Sequence, residues 1–238
     1  MGKHWNRLKR SLGRRWKEWR LPRGYQRLGT RYGGWWVDTR LVGPQPLLID
    51  CGLGEDISFP AAFLQRFAGA HVIGVDPNPR SLAYCRAHCP PGMEILANAF
   101  WTSAGENLTF YLPRAQEQLP KGADGVSGSL DASHEYVEGG ERIETRTVDL
   151  DALLARAGRK ECDILKLDIE GAEYALLEAL VASGRIHAAR QVLVEFHHGV
   201  TRHTLDDTRR IVAALTAAGF RLAHSENRNY IFRRDPTR

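Results

Sequence analysis

The residues best suited to chemistry in this chain are four acids, each at the end of a short apolar run. Such runs are typical of buried strands, and the acids are Asp50, Asp76, Asp168 and Glu195. The carboxyl ends of parallel strands meet at one edge of a sheet, where open α/β sheets bind nucleotide-like ligands. The pattern therefore predicts a ligand site lined by carboxylates.

The first of these acids precedes a glycine turn, Cys51-Gly52-Leu53-Gly54, and the start of a predicted helix. This arrangement places backbone N–H groups and a positive helix dipole beside the ligand edge. Gly52 and Gly54 would allow close approach of a cofactor. Asp50 would orient the turn or meet an ammonium group. Asp76, about one βαβ unit later, is placed to accept hydrogen bonds from ribose hydroxyls.

The turn departs from the dinucleotide-binding pattern, because the third glycine of that pattern is absent. Glu55 also stands where it would repel a pyrophosphate. A ligand with a ribose and a positive charge but no phosphate fits better, and S-adenosylmethionine is such a ligand. A nicotinamide-dependent oxidoreductase is the alternative enzyme.

The elements that must position these residues alternate between strand and helix from residue 47 onwards. This alternation predicts an α/β fold with a parallel sheet covered on both faces. Segments 220–223 and 229–233 read as a terminal antiparallel pair and bring the main strands to seven. Residues 113–141 show no periodicity, and so long a loop in a compact domain is usually functional or mobile.

Several of these segments together resemble the FkbM-type methyltransferase family, in order and with fitting spacing from Leu47 to Phe232. The similar segments are 50–59, 75–81, 98–101 with 110–111, 126–130, 165–174 and 193–198. The resemblance implies a class I methyltransferase Rossmann-like fold, with a mostly parallel seven-stranded sheet and an antiparallel C-terminal strand. It also implies an S-adenosylmethionine-dependent O-methyltransferase whose acceptor is a sugar, a glycan or another small-molecule natural product. Asn98, which begins one similar segment, is assigned with the glycine turn to the cofactor site.

Methyl transfer to a hydroxyl requires that its proton be removed, by a base or with the help of a metal. The candidates at the strand ends are Asp168, Glu195 and His197, with His198 beside them. Two acids and a histidine could bind Mg²⁺, or Asp168 or His197 could act as general base without a metal. No residue is assigned as a metal ligand from the sequence.

The N-terminal segment, residues 1–40, is predicted to be separate from a methyltransferase domain at 41–238. Residues 1–31 hold eleven Lys and Arg against one acid, whereas the whole chain has a net charge of +5. Trp5, Leu8, Leu12, Trp16 and Trp19 recur with helical spacing. Such a helix could lie on an anionic membrane or polymer, or pack on the domain; a surface-binding module with a vestigial nucleotide fold is the non-enzymatic alternative.

Nucleic acid is an unlikely partner, because the basic cluster does not continue into the body of the chain. Cysteine usage indicates reduced thiols, and no segment resembles a signal peptide or a membrane span. The predicted location is cytoplasmic, with a peripheral contact to the inner face of a membrane as the further expectation. After the basic segment, a connector at 32–36 could lie over the ligand site or cover the core.

Overall fold

The computed structural model describes residues 23–119 and 125–235. Its central feature is a seven-stranded sheet that alternates with helices along the chain. The strands of this sheet are β3 (Leu47–Cys51), β4 (His71–Val75), β5 (Met93–Leu96), β9 (Cys162–Leu167), β10 (Ala189–Glu195), β11 (Phe220–Glu226) and β12 (Asn229–Arg234). The α-helices in this part of the chain are α1 (Ser58–Arg66), α2 (Pro79–His88), α3 (Leu150–Arg156), α4 (Glu173–Ala182) and α5 (Leu205–Ala217).

The strand order across this sheet is β11-β12-β10-β9-β3-β4-β5. β3, β4, β5, β9 and β10 pair in parallel, whereas β12 is antiparallel to both of its neighbours. The order reverses beside β3, because the chain first moves outward to β4 and β5 and then returns to β9. Ligands bind at such a reversal in open α/β sheets. The predicted fold class is confirmed.

Two apolar cores cover the two faces of the sheet. One core packs α3, α4 and α5 against the sheet through large buried side chains such as Leu153, Tyr174 and Ile211. The other contains Phe59 and Phe63 of α1. Successive strand residues point to opposite faces, so each buried strand serves both cores and its sequence is mostly apolar. These continuous apolar runs are the reason why the central strands could be predicted.

The predicted connector around Tyr32 belongs to a two-stranded ribbon, β1 (Tyr25–Leu28) and β2 (Trp35–Asp38). Trp35 and Val37 are buried in the second core, while Gln191 of β10 exchanges two hydrogen bonds with the backbone of Asp38. The ribbon is thus continuous with the domain that we predicted to begin at residue 41. The helix predicted over the first tryptophans lies outside the described residues, and its role stays a prediction.

A smaller sheet of three strands, β6 (Ala99–Phe100), β7 (Asn107–Tyr111) and β8 (Arg142–Val148), stands beside the main one. The chain between β7 and β8 is the predicted long loop. Its described part returns to the smaller sheet through hydrogen bonds between Ser129 and Tyr111, the last residue of β7. Among the described helices, none combines the length and the apolar character needed to cross a bilayer.

Candidate active site

A cavity of about 360 Å³ lies at the carboxyl ends of the parallel strands. The glycine turn, residues that follow β4 and β9, the end of β10 and the ribbon contribute to its wall. The long loop forms a further part through Val126, Ser127, Gly128, Leu130 and Tyr136. Tyr32, which is 77% exposed, also lines the cavity. The connector therefore does both things left open by the sequence, because Trp35 covers the core and Tyr32 reaches the cavity.

The glycine turn is held very close to the neighbouring strand. Gly52 has a φ of +84°, and a Cβ on it would lie 1.7 Å from the carbonyl oxygen of Asp168. The Gly52 N–H donates to the carbonyl of Val75 at 2.9 Å. Only glycine combines this conformation with this approach. The turn is thus fixed between β4 and β9, with its backbone at the cavity wall.

We expect Gly52→Ala to destabilise the domain by about 1–3 kcal/mol more than Gly158→Ala, because overpacking adds to backbone strain. Gly158 is a matched control: its φ is +64°, but a Cβ there would meet nothing within 4 Å. Both variants would hold alanine in a left-handed conformation, and only the first would collide with a backbone carbonyl. Urea unfolding of both variants and the native protein measures the difference. Equal destabilisation would show that the turn has room for a side chain.

Asp76 is 5% exposed and holds the turn from the next strand. One of its carboxylate oxygens accepts hydrogen bonds from the N–H groups of Leu53 and Gly54, at 2.8 and 3.1 Å. The other accepts from the N–H of Asn78 at 2.8 Å. Burial raises the pKa of Asp76 in spite of these bonds. A carboxylate has about four acceptor positions, so about one is left for a ribose hydroxyl.

Asp50 does not line the cavity. It is the second-last residue of β3, stands opposite Lys166 of β9 and is 2% exposed. The Lys166 ammonium lies 3.0 Å from Asp50, and it donates to the carbonyl of Gly52 at 2.5 Å. Asp50 is therefore paired with Lys166, which in turn contacts the glycine turn. A direct contact of Asp50 with a cofactor has no support in this position.

Asn98 is likewise outside the cavity wall. Its amide donates a hydrogen bond to the carbonyl of Arg146 in β8 at 2.9 Å, which ties the segment before β6 to the smaller sheet. Ala99 and Phe100, the next two residues, line the cavity instead. His198 also points elsewhere, with its Nδ1 3.1 Å from the hydroxyl of Thr208.

The structure brings Asp168, Glu195 and His197 to the same cavity. Burial and the nearby Glu195 carboxylate raise the pKa of Asp168 to about 7, although Lys166 at 3.8 Å acts in the opposite direction. Glu195 is itself 3.4 Å from the guanidinium of Arg228. Asp168 thus combines access to the cavity with a basicity much greater than that of an ordinary carboxylate.

His197 is surrounded by acids and is 2% exposed. Its Nε2 lies 3.2 Å from Glu170 and 3.5 Å from Asp168, and its Nδ1 lies 3.2 Å from Glu173. Burial alone would lower the pKa of His197, but Glu170 and Glu173 outweigh it and raise the pKa to about 10. In the absence of a ligand, His197 is a cation that holds these carboxylates together.

Glu170 and His134 are site residues that the sequence did not reveal. Glu170 lines the cavity, and its carboxylate lies 2.8 Å from Nε2 of His134. His134 comes from the long loop and is 1% exposed. Burial would raise the pKa of Glu170, but His197 and His134 lower it to about 2. The one available signal was the lack of periodicity in the loop, which carries no residue-level information.

The sheet order, the glycine turn and the acid after the neighbouring strand define a class I methyltransferase fold with a ligand cavity at its carboxyl edge. A family model for the methyltransferase FkbM domain matches residues 50–222. Because this match covers most of the sequence, the chain belongs to the FkbM methyltransferase family.

Two solved structures illustrate how far similarity extends beyond the family. The fibrillarin pre-rRNA processing protein of Methanococcus jannaschii is 11% identical, with a TM-score of 0.42, over 80% of this chain and 67% of its own. A SAM-dependent methyltransferase from Aquifex aeolicus is 11% identical, with a TM-score of 0.34, over 80% of this chain and 81% of its own. No curated protein matches the chain. The assignment therefore rests on the family model.

Proposed function

We propose that this FkbM-family methyltransferase transfers the methyl group of S-adenosylmethionine to a hydroxyl of a sugar, glycan or related small molecule. The observation that carries the proposal is Asp168, whose pKa is raised to about 7 and which lines the same cavity as the glycine turn. An acceptor hydroxyl needs a base of this kind, because it is a poor nucleophile while it keeps its proton.

The residues of the cavity fit S-adenosylmethionine. The fixed glycine turn and the remaining acceptor position of Asp76 suit a ribose, and Val75, Pro77 and Phe100 supply apolar wall for an adenine. Six acidic side chains in the described residues line the cavity, against one lysine, one arginine and the protonated His197. A sulfonium and an ammonium complement this excess of negative charge, whereas a pyrophosphate does not.

One part of the argument against a dinucleotide is weaker than the sequence suggested. Glu55 forms two hydrogen bonds of 2.8 Å with the guanidinium of Arg80, so its charge is largely compensated. The excess of acids deeper in the cavity remains. For this reason a nicotinamide cofactor stays the competitor that an experiment must exclude.

When bound, S-adenosylmethionine supplies an electrophilic methyl group on its sulfonium. The protein supplies alignment and a proton acceptor, because methyl transfer is an in-line displacement that depends on orientation. We assign the proton of the acceptor hydroxyl to the carboxylate of Asp168. His197 is the weaker candidate for base, since its ring is already protonated between Glu170 and Glu173. Its role is to hold the acids in place.

The acceptor would enter beside Tyr32, Tyr136 and Arg228, which line the cavity together with Asn229. Aromatic rings pack on the apolar faces of sugars, and the polar groups among these residues can bond sugar hydroxyls. This wall comes from three separate parts of the chain: the ribbon, the long loop and the turn between β11 and β12. The aromatic and polar side chains of this wall favour an acceptor that is rich in hydroxyl groups.

Calorimetric titration with S-adenosylmethionine and with NAD tests the proposal. We expect S-adenosylmethionine to bind with micromolar affinity and NAD no better than millimolar. Asp76→Ala should weaken S-adenosylmethionine binding about 10–100-fold, because a charged hydrogen-bonding group is lost. Asp206→Ala is the control, since Asp206 lies on the surface of α5 and its side chain is 84% exposed.

Binding of NAD alone would favour the oxidoreductase, and binding of neither ligand would favour a non-enzymatic module. The group that accepts the methyl group is identified in a second step. Incubation of the protein with labelled S-adenosylmethionine and a sugar-containing cell fraction should give a product whose methyl group resists mild base, as an ether does. Label that is released as methanol would indicate a methyl ester and would contradict O-methylation of a hydroxyl.

A further inference from the structure

Three side chains at the base of the cavity each offer one potential ligand atom for a metal ion. Asp168, Glu170 and His197 contribute two carboxylate oxygens and an imidazole nitrogen, all within 4.8 Å of one another. Nε2 of His197 lies 3.2 Å from Glu170 and 3.5 Å from Asp168. In an octahedral site with bonds of about 2.1 Å, neighbouring ligands lie about 3.0 Å apart. The two distances from His197 are therefore close to the spacing of neighbouring ligands in an octahedron, and the two carboxylates lie within 4.8 Å of each other.

The ring of His197 is oriented by a residue that does not itself belong to this set. Glu173 is fully buried and accepts hydrogen bonds from the N–H of His197 at 2.9 Å and of Gly171 at 2.8 Å. The Glu173 oxygen that accepts from the backbone N–H of His197 also lies 3.2 Å from Nδ1 of His197. Such a carboxylate fixes the ring, and Nε2 can bind a metal once the cation displaces the proton that this nitrogen carries.

The backbone at Glu170 is strained in a way that presents its carboxylate. Its φ is +52°, a left-handed conformation that non-glycine residues seldom adopt outside functional sites. The hydroxyl of Ser129 donates to the carbonyl of Glu170 at 2.5 Å, and His134 contacts its side chain. The long loop therefore holds Glu170 in place beside Asp168 and His197.

We infer that Asp168, Glu170 and His197 bind one divalent cation, with Glu173 and His134 as the residues that orient the ligands. Two carboxylates and one imidazole suit Mn²⁺ or Mg²⁺, and the nitrogen ligand favours Mn²⁺ of the two. All three ligands line the cavity. The site thus differs from the acids and histidine grouped from the sequence, because Glu170 replaces Glu195.

The role of this cation, in contrast to its binding, rests on the proposed function. A cation held by one oxygen of Asp168 would make the acceptor hydroxyl more acidic and position its oxygen for attack, while the other oxygen of Asp168 would accept the proton. Binding itself depends only on the geometry of the three side chains. The two ideas can therefore fail separately.

Mn²⁺ titration of the full chain, followed by the electron paramagnetic resonance signal of free Mn²⁺, tests the site without any turnover. We expect one Mn²⁺ per chain, displaced by excess Mg²⁺. Glu170→Gln and His197→Gln should abolish this binding at the concentrations used. Glu173→Gln should weaken it about 10–100-fold, as expected for a group that orients a ligand.

The matched controls are His198→Gln and Glu178→Gln, because His198 bonds to Thr208 outside the cavity and Glu178 lies on the surface. Both should bind Mn²⁺ like the native protein. Thermal unfolding identifies any variant that fails to fold. If His197→Gln fails to fold, Glu170→Gln still tests the site. No binding at millimolar Mn²⁺, or equal binding by Glu170→Gln, would overturn the inference. Titration of S-adenosylmethionine in EDTA reports separately on the proposed function.

Discussion

Asp168→Asn is expected to lower kcat for methyl transfer about 10²–10⁴-fold, the usual contribution of a positioned general base. Asparagine has the size of aspartate but accepts no proton at neutral pH. Native Asp168 has a pKa raised to about 7 by burial and by Glu195, so it is a stronger base than an exposed acid. The substitution removes this base and leaves the backbone carbonyl next to Gly52 unchanged.

The measurement is transfer of a labelled methyl group to the sugar-containing fraction at saturating cofactor, with cofactor affinity determined in parallel. Asp206→Asn is the control, since it removes the same charge from the surface of α5. A large loss of kcat with little change in cofactor affinity would place Asp168 at the acceptor. Normal turnover by Asp168→Asn would remove it from the mechanism.

Lys166→Met is expected to destabilise the protein by about 3–5 kcal/mol, the usual result of breaking a buried ion pair on one side. The side chains of Lys166 and Asp50 are 7% and 3% exposed, and the Lys166 ammonium stands 3.0 Å from the Asp50 carboxylate. Burial alone would lower the pKa of Lys166, but Asp50 and Asp168 outweigh it and raise it well above the ordinary value. Without the ammonium, Asp50 would be a buried charge with no counter-charge from β9.

Urea unfolding of a double-mutant cycle separates this loss from a loss of packing. Asp50→Asn combined with Lys166→Met should recover part of the stability, because no charge is then buried alone. Lys160→Met is the control for the side-chain change itself, since Lys160 is exposed. If the double variant were as unstable as the sum of the single ones, charge pairing would not be the cause.

The sequence was sufficient for the sheet because buried parallel strands are apolar on both faces. The apolar runs that end at Asp50, Asp76, Asp168 and Glu195 coincide closely with β3, β4, β9 and β10. The ribbon was missed because its strands are four residues long and flank a glycine-rich turn. Strands this short show no clear alternation of apolar and polar residues.

Site residues were harder to predict wherever their roles depend on distant partners. Asp50 was assigned to the cofactor site because the sequence does not show which residue stands opposite it. That residue is Lys166, which is 116 positions away in the chain and becomes its neighbour only in the folded sheet. Glu170 was not singled out, because a left-handed backbone at a glutamate cannot be inferred from the residue type. Asp168 and His197 were correctly expected at the cavity, because the carboxyl ends of parallel strands meet at one edge of the sheet regardless of the loop sequences.

The segment from Val126 to His134 contacts two parts of the site, one beside the glycine turn and one beside the acids around Glu170. The carbonyl of Val126 accepts a hydrogen bond from the side chain of Asn78 beside the cofactor turn, and His134 reaches the acid cluster at Glu170. The same short stretch forms part of the cavity wall. A change of acceptor during evolution can therefore occur through this loop, while the sheet residues beneath it keep the chemistry. Such a division makes one scaffold reusable for many acceptors.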